Sequence, residues 1–447
     1  MVHSIAQVVG RFKNNWSNEL NEEAVEKACR DHDMTWNDTL LNPLMTIKIF
    51  FLQILHGNTA MTHLRHLTKL CFTASAYCQA RMKIPLAVFQ TLLARTAARL
   101  HEDLSDAQRW LGHRLFVVDG SSFSMPDQAC LQQEFGQPGG QPPGCGFPVA
   151  HFLALMHAGT GMLTKVLTAP LRTHDMSGMI ELHPELRAGD VLAGDRALCS
   201  FAHLALLWLR GVHGLFRMHQ RQIVDFRAGR PHVEPGQGPP RDQTGLPRSR
   251  WIRTFGFQDQ LVEWFKPNQR PQWMTAEQFA TLPGSLQVRE LRYRVDCKGF
   301  RTQEITLVTT LLNAEIYPAE ELASVYYRRW SIETNFGHLK TTMKMDVLKC
   351  ETVDGVLKEL AVFLLIYNLV RLVMVEAAQR QQVDVDRISF IDALRWLQSA
   401  QPSDELPELI VNPSRPHRYE PRVRKRRPKQ YPLMNQPRTA LKKKLAA

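Results

Sequence analysis

Four side chains in one stretch of the sequence could do chemistry together. Tyr326, Arg329, Glu333 and Lys340 stand at relative positions 0, 3, 7 and 14 in the segment PAEELASVYYRRWSIETNFGHLKTTMKM. At about 100° per residue, a helix would hold all four within an arc of roughly 60°. The spacing therefore predicts one helix over 318–345 with a column of polar groups. A single carboxylate among cations suits a metal ion that works beside a phosphate backbone.

Two aspartates follow short apolar runs upstream of this segment. Asp119 ends the run LFVV, and Asp195 ends the run VLAG. Because ligands bind beyond the strand ends of α/β sheets, both carboxylates are expected at a cleft. Capping of the following helix is an equally good explanation for either aspartate taken alone. Together with Glu333 they make three hard oxygen donors, which suit Mg²⁺ or Mn²⁺ rather than zinc.

The elements that must position these residues indicate an α/β protein. Residues 1–110 have helical apolar spacing. Residues 111–221 read as three strands, a helix, a strand, a helix and a strand, as in an antiparallel hairpin that feeds parallel strands. A Pro/Gly-rich loop and short β-like runs over 222–305 predict a β-rich insertion. The remaining units are the polar helix in 306–350, a helical region in 351–414 and a basic tail in 415–447.

The positive charge of the chain is concentrated at its C-terminus. The 447 residues carry 55 Lys and Arg against 43 Asp and Glu, a net charge of +12. Residues 415–447 hold 12 of the basic residues and one acid, which leaves 43 basic and 42 acidic residues in the first 414. The tail predicts a flexible arm for a polyanion, with a merely solubilising tail as the alternative. In the body, the richest basic stretch is 217–253, where Arg217 and Arg221 are candidate DNA contacts.

Other signals bear on DNA binding and on location. The segment SAYCQARMK, with Arg81 and Lys83, predicts either a DNA-reading helix or an ordinary surface helix. The eight cysteines have no C-x-x-C spacing, which is typical of a reducing cytosol rather than of a zinc site. The N-terminus lacks a secretory pattern, and the longest uncharged run of the segment 356–376 is eleven residues, too few to span a bilayer. A soluble cytoplasmic protein without membrane contact is expected.

Taken together, the motifs resemble a known family. Asp119 in VVDGSS, Asp195 in LAGDRA and the Tyr-x2-Arg-x3-Glu-x6-Lys pattern of 326–340 are similar to the DDE transposases of bacterial insertion sequences. The resemblance is to the group named after insertion sequence four, which carries the YREK signature. It covers about residues 40–435, including the tail phrase KRRPKQYPLM.

The resemblance implies a fold, a reaction and partners. The fold is an RNase H-like catalytic core interrupted by a β-rich insertion between the second Asp and the Glu. The reaction is cut-and-paste transposition, in which two Mg²⁺ or Mn²⁺ ions support hydrolysis at terminal inverted repeats and transfer of the freed 3′-hydroxyl to target DNA. The partners are double-stranded DNA and a second copy, as a homodimer on paired ends at the bacterial nucleoid. The implied roles are metal ligation for Asp119, Asp195 and Glu333, and contact with DNA phosphates for Tyr326, Arg329 and Lys340.

One feature departs from the family pattern. In some relatives a Trp on the strand before the signature helix stacks on a flipped base during hairpin formation. Here that strand, EITLVTTLL, has no Trp. Trp251, Trp264 and Trp273 lie earlier, and a core role is expected for each, so a hairpin intermediate is not implied for this chain.

Three readings of function remain open from the sequence. The first is an active transposase, and the second is a catalytically silent DNA-binding protein derived from one. In the third, Tyr326 is a covalent nucleophile, although that chemistry needs Arg and His groups around the tyrosine. Structural roles rather than proton transfer are expected for four histidines with apolar or helix-start neighbours, His151, His157, His174 and His183.

Overall fold

A nine-stranded sheet runs through the part of the chain that the structure describes. The computed structural model describes residues 22–98, 108–139, 142–171, 173, 175–233, 245–295, 304–400, 405–413 and 434–446. Helices pack on both faces of the sheet, so the protein is mixed α/β, as the sequence predicts.

The strands cross the sheet in the order β3-β2-β1-β4-β5-β9-β8-β7-β6. β1, β4 and β5 are parallel neighbours, and the other pairs are antiparallel. The strand bounds are β1 Leu115–Ser124, β2 Val149–His157, β3 Leu163–Pro170, β4 Val191–Gly194, β5 His213–Arg217, β6 Ser249–Gly256, β7 Asp259–Phe265, β8 Ser285–Arg294 and β9 Glu304–Thr309.

The predicted order of strands and helices is found along β1 to β5. One short helix, α6 (Ala129–Phe135), is additional and lies between β1 and β2. The other two are α7 (Asp175–Leu182) and α8 (Phe201–Leu209), and Ser200 caps α8 by accepting a hydrogen bond from the His203 amide. α7 and α8 share a buried cluster with sheet residues such as Phe116 and Leu192, whereas α6 belongs to another cluster.

Strands β6 to β9 extend the same sheet. β9 pairs with β5 on one side and with β8 on the other, so the strands expected in an insertion are hydrogen-bonded to the core strands. The limit predicted at residue 305 falls inside β9. A short helix, α9 (Ala276–Thr281), connects β7 to β8. Periodicity in a sequence marks strands but not their partners, which is why this continuity was not expected.

Five helices precede the sheet. They are α1 Glu22–Arg30, α2 Pro43–Leu55, α3 Met61–Thr68, α4 Ala74–Lys83 and α5 Leu86–Ala98. Asn42 caps α2 by accepting the Met45 amide hydrogen at 2.9 Å, with Pro43 at the first helical position. In α4, Arg81 is buried and hydrogen-bonded to Gln53, so this arginine is not available to read DNA, whereas Lys83 is exposed.

The C-terminal helices surround the opposite face of the sheet. They are α10 Ala319–Arg328, α11 Ser331–Gly337, α12 Val353–Gln381, α13 Phe390–Ser399 and α14 Arg438–Ala446. Side chains of α12 form the centre of the largest core cluster, together with α2, α5 and α13. α14 corrects the expectation of a wholly flexible tail, because its Arg438 is paired with Asp127; residues 414–433 lie outside the described part of the chain.

Among the described helices, α12 is long and apolar enough to cross a membrane by length and composition. Its apolar window is entirely buried inside the protein. The helix continues through Glu359 and Arg371, both buried, and so exceeds the eleven uncharged residues between them. In this structure α12 is therefore the central helix of the core.

Candidate active site

The two aspartates are brought to one level of the sheet by strand register. Val117 of β1 lies opposite Ala193 of β4 in the parallel ladder. Two residues further on, the same register sets Asp119 beside Asp195. Adjacent strands lie about 4.8 Å apart, so the two carboxylates emerge as neighbours on one face of the sheet.

The backbone around Asp119 differs from the prediction. Asp119 does not end its strand, because β1 continues to Ser124 and pairs with β2 along its whole length, with Asp119 opposite Ala154. It does lie beyond the last β1–β4 pair, so its β4 side is open. The Gly120 amide donates a hydrogen bond to Asp119 Oδ1 at 2.9 Å, which fixes the carboxylate.

Asp195 lies immediately after β4 and also serves as a cap. Its Oδ1 accepts the Ala197 amide hydrogen at 2.8 Å and begins the short 3₁₀ turn Arg196–Leu198. Asp195 can therefore cap the turn and still face the cleft. Only its Oδ1 accepts a hydrogen bond from the described residues. Gly194 is required before it, since a Cβ there would lie 2.9 Å from the ring of Phe216.

The third carboxylate comes from a segmented helix rather than from one continuous helix. α10 ends at Arg328, and the amides of Arg329 and Trp330 then donate to carbonyls three residues back, which tightens the turn. α11 carries Glu333, and a wide π-helical turn, His338–Thr342, follows it. These irregularities break the predicted column of four side chains, and only Glu333 is well exposed, with 53% of its side chain accessible.

Arg329 joins the helix to the sheet at the carboxylates. Its Nη1 donates to Asp119 Oδ2 at 3.2 Å, and its Nη2 lies 4.0 Å from Glu333 Oε1. The residue is 7% exposed, and its Nε is buried without a hydrogen-bond partner. Its guanidinium carbon lies 5.6 Å from the Tyr326 ring and 5.8 Å from the Trp330 ring. In this conformation the guanidinium is engaged with Asp119, and contact of Arg329 with DNA phosphates stays a prediction.

Tyr326 is a core residue in this structure. Its ring is 2% exposed and packs with Leu322 and Val325. Burial raises the pKa of its hydroxyl, while the charges of Arg329 and Arg217 act in the opposite direction. The hydroxyl thus lies among charged groups although the ring is buried, so direct contact with DNA would require the site to open.

Burial and the neighbouring carboxylates both act on the pKa of Asp119. Burial raises the pKa of Asp119 above its ordinary value, and the charges of Asp195 and Glu333 raise it further. Arg329 and the Gly120 amide act in the opposite direction but do not cancel the burial. The site therefore favours a cation at Asp119.

The remaining predicted DNA contacts surround the carboxylates. Lys340 lies in the π-helical turn, and its Nζ donates to Ser121 Oγ at 3.2 Å, two residues beyond Asp119 on β1. Arg217 ends β5, whose register with β4 sets it beside Asp195. Arg221 is exposed in the following turn. All three therefore lie on elements that border the site.

Sequence reasoning missed two residues next to this cluster. Tyr293 on β8 packs against the same core cluster as Tyr326, and burial raises the pKa of its hydroxyl while the charge of Arg217 lowers it. Ser121 is the partner of Lys340. The alternating run LQVRELRYRV marked β8 as a strand, but its place near the site depends on the pairing of β8 with β9.

The histidines considered above have structural contacts. His157 is fully buried, its Nδ1 lies 3.1 Å from Thr160 Oγ1, and burial lowers its pKa to about 3. His183 is buried with its Nε2 3.1 Å from that of His203, and burial lowers its pKa to about 3. His151 lies on β2 opposite Ser122, and His174 is outside the described residues.

The carboxylate oxygens of the site are chemically suited to a hard divalent cation. Within the described ranges, no three His, Cys, Asp or Glu side chains are already spaced to hold a metal ion. Asp119, Asp195 and Glu333 nevertheless supply carboxylate oxygens on neighbouring elements, and Arg329 lies between two of them as a monovalent cation. Such oxygen donors suit Mg²⁺ or Mn²⁺.

Comparison with known proteins identifies the family. Residues 110–369 match the transposase DDE domain, and this stretch is more than half of the chain and includes Asp119, Asp195 and Glu333. The chain belongs to the transposase DDE domain family. DDE transposases generally use divalent metal ions, in agreement with the carboxylate donors of this transposase.

Two known transposases are similar to this chain. This transposase is 24% identical over 380 residues to the transposase InsG for insertion sequence element IS4 of Escherichia coli K12. The aligned region covers 80% of this chain and 78% of InsG. A solved piggyBac transposase synaptic complex with hairpin DNA aligns over 88% of this chain and 78% of its own, at 10% identity and a TM-score of 0.43. The expected likeness to transposases of the insertion sequence four type is confirmed, and membership of the YREK group stays a prediction.

Proposed function

We propose that this transposase excises and inserts its own DNA element by hydrolysis at the element's ends and transfer of the freed 3′-hydroxyl. One observation carries the proposal, namely that Asp119 and Glu333 flank Arg329 while the register of β1 and β4 sets Asp195 beside Asp119. Burial, and then the charges of Asp195 and Glu333, raise the pKa of Asp119, and a bound cation would relieve this repulsion. A structural ion pair would need one carboxylate, not three.

The proposed chemistry assigns different roles to these side chains. Asp119, Asp195 and Glu333 would hold Mg²⁺ or Mn²⁺, two ions per site in the two-metal scheme. The ions would supply an activated water or 3′-hydroxyl and stabilisation of the leaving oxygen. The hydrogen bonds of Gly120 to Asp119 and of Ala197 to Asp195 would keep one oxygen of each carboxylate fixed and the other turned to the cleft.

Cations around the site would hold the DNA strand. Lys340 and Arg217 border the carboxylates, and Arg221 lies further along the turn after β5. Arg329 would exchange Asp119 for a phosphate once metal ions neutralise the carboxylate, since a guanidinium binds either group in the same bidentate way. Tyr326 would support Arg329 from beneath, through the ring that lies 5.6 Å from the guanidinium carbon.

The wider assignments belong to the same proposal. β1 to β5 with α10 and α11 correspond to an RNase H-like core, and β6 to β8 to its β-rich insertion. The partners would be terminal inverted repeats and target DNA, bound by a homodimer on paired ends in the bacterial cytoplasm at the nucleoid. A YREK-type signature at 326–340 is part of this assignment.

The test uses the full chain and duplexes copied from the two termini of the DNA element that carries its gene. With Mg²⁺, the wild type should cleave at the element ends. Asp119→Asn, Asp195→Asn and Glu333→Gln should each bind the duplexes as well as the wild type but cleave roughly a thousandfold more slowly, since a catalytic metal supplies several kcal/mol. Glu320→Gln, an exposed carboxylate on α10, is the matched control and should cleave normally.

Other outcomes would select the other readings. Binding by the wild type without cleavage in Mg²⁺ or Mn²⁺ would favour the silent DNA-binding protein. Cleavage that persists in EDTA and leaves the protein covalently attached to DNA would favour Tyr326 as nucleophile. Normal cleavage by any of the three carboxylate variants would refute the assigned site.

A further inference from the structure

The last described helix, α14, is attached to the rest of the protein by an ion pair and a cation–π contact. Arg438 Nη1 donates to Asp127 Oδ2 at 2.5 Å, and its guanidinium carbon lies 4.2 Å from the ring centroid of Phe147. The Gln132 amide donates to the other oxygen of Asp127 at 3.0 Å, so the carboxylate is oriented before Arg438 reaches it. Both partners of the pair are largely shielded from solvent, which strengthens it relative to a surface pair.

The loop around Gly144 packs against Pro437, the residue before α14. Gly144 has a φ of +78°, and a Cβ at this position would lie 3.0 Å from Pro437 Cβ. Glycine therefore allows the close approach of Pro437. Gln137 fixes the loop, because its Oε1 accepts the amide hydrogens of Gly144 at 2.9 Å and Gly146 at 3.3 Å. The attachment thus has a charged contact and a close-packed contact that support each other.

The exposed side of α14 is strongly basic. Lys442, Lys443 and Lys444 are all exposed, and the segment Arg438–Ala446 contains no acidic residue. Lys444 Nζ also donates to Gln436 Oε1 at 2.8 Å, back toward the attachment. None of the residues of α14 is buried, so the helix adds nothing to the hydrophobic core. Its attachment instead holds three positive charges at a fixed place.

That place is tied to the strand that carries the first catalytic aspartate. β1 leads from Asp119 to Ser124, a distance of roughly 17 Å at 3.3 Å per residue, and Asp127 follows. The Ser124 amide donates to the Asp346 carbonyl, and the Leu348 amide donates to the Ser124 carbonyl. The attachment of α14 at Asp127 therefore lies past the end of β1, away from Asp119 along the strand.

We propose that α14 is a fixed phosphate-binding element, which contacts the backbone of duplex DNA to one side of the cleaved position. The inference rests on the proposed function, because it assumes that the transposase holds its element ends at the carboxylates. It differs from the expectation of a flexible arm: the Arg438–Asp127 contact decides where on the duplex the three lysines bind.

Hydroxyl-radical footprinting of the full chain on the terminal duplexes tests this inference. The wild type should protect a discrete patch of phosphates outside the region covered by the site. Lys442→Gln, Lys443→Gln and Lys444→Gln together should remove that patch and lower the slope of log affinity against log salt by about 2 to 3, since each phosphate contact contributes about 0.9. Protection around the cleaved position should remain.

Asp127→Asn separates positioning from charge. This variant removes one negative charge, so attraction alone predicts equal or tighter binding, whereas release of α14 should erase or spread the outer patch. Asp38→Asn makes the same charge change at an exposed carboxylate far along the sequence and should keep the patch. Circular dichroism of each variant should match the wild type.

The outcomes distinguish the inference from the function on which it rests. No protection by the wild type at either element end would count against the proposed function. Normal protection at the cleaved position together with an unchanged outer patch in the triple lysine variant would overturn the inference alone. An outer patch that survives in Asp127→Asn as it does in Asp38→Asn would show that attachment of α14 does not position it.

Discussion

At the scale of single residues, Arg329 is the side chain whose role changes most once its surroundings are known. It is buried, bonded to Asp119 at 3.2 Å and close to Glu333, and its Nε has no partner. A buried donor without a partner costs roughly 1–3 kcal/mol. The pair of carboxylates offsets this cost only while no other cation occupies the site. Arg329 and a divalent metal ion should therefore compete.

Removal of Arg329 should tighten metal binding by the DNA-free protein. Two unit charges 4 Å apart interact by about 4 kcal/mol at an effective dielectric constant of 20, so loss of the competing cation should strengthen Mn²⁺ binding by at least about tenfold in Arg329→Gln. Isothermal titration calorimetry measures this directly. The adjacent exposed arginine supplies the control, and Arg328→Gln should bind Mn²⁺ as the wild type does. Weaker binding in Arg329→Gln would contradict the competition.

Tyr326 permits a second prediction at this scale. Its ring is in the core and only its hydroxyl faces the charged groups. Tyr326→Phe keeps the ring and should change the free energy of unfolding by about 1 kcal/mol, the contribution of an ordinary hydrogen bond. Cleavage in gel assays should fall by no more than about tenfold. Complete loss of cleavage in a folded variant would instead point to the hydroxyl as a reacting group.

At the scale of elements, the turn that begins with Asp195 depends on a buried histidine pair. His203 Nδ1 lies 2.7 Å from the Leu198 carbonyl in that turn, and its Nε2 faces His183 on the segment after α7. Burial lowers the pKa of His183 to about 3 and that of His203 to about 4, from 6.5. Both rings are therefore neutral in the folded protein near pH 7, where they can share a proton in one hydrogen bond.

This pair should make the protein sensitive to acid. Because the folded pKa values lie below 6.5, the unfolded chain binds more protons as the pH falls below 6.5, and stability is lost down to about pH 4. Each histidine contributes a slope of about 1.4 kcal/mol per pH unit. The free energy of unfolding, measured in urea between pH 6 and 4.5, should fall with pH less steeply in His183→Gln, by about that amount. His66 is exposed, and the control variant His66→Gln should have the slope of the wild type. Equal slopes in all three proteins would refute a role of the histidine pair in acid sensitivity.

The elements also show how far the sequence could predict the site. Alternating apolar residues marked the strands, and apolar runs before Asp119 and Asp195 marked the edge where the structure sets both aspartates, because both signals depend on nearby residues. The irregular turns at Arg329 and His338 were not predictable, since they arise where the helix packs on the sheet at Asp119 and Ser121, more than 200 residues away. The burial of Tyr326 and the attachment of α14 are long-range contacts of the same kind.

At the scale of the whole molecule, the helices before the sheet share a core with those after it. The largest cluster of buried side chains includes Phe50 and Phe89 as well as Phe363 and Leu394. A polar contact fixes the same junction: Glu359 of α12 accepts the amide hydrogens of Lys349 and Cys350 at 3.0 and 2.8 Å, together with the side-chain amide of Asn58. The N-terminal helices are therefore part of the support of the site.

Loss of this junction should destabilise the whole protein. Glu359→Ala leaves three donors without this acceptor, among them the buried side-chain amide of Asn58, and at about 1–3 kcal/mol for a buried unpaired donor the free energy of unfolding should fall by about 3 kcal/mol or more. Chemical denaturation followed by tryptophan fluorescence measures the change. Glu351→Ala, an exposed glutamate eight positions earlier, should change stability by less than about 0.5 kcal/mol. A similar small loss in both variants would mean that the junction is dispensable.

The attachment of Arg438 to Asp127 also has a consequence for the timing of synthesis. The ribosome completes the segment that contains the three carboxylates about a hundred residues before it reaches Arg438. The nascent protein can therefore assemble its sheet and the edge that carries Asp119 and Asp195 before Arg438 reaches the loop at Asp127. A chain terminated just before α14 would expose that loop and would lack the three lysines of α14.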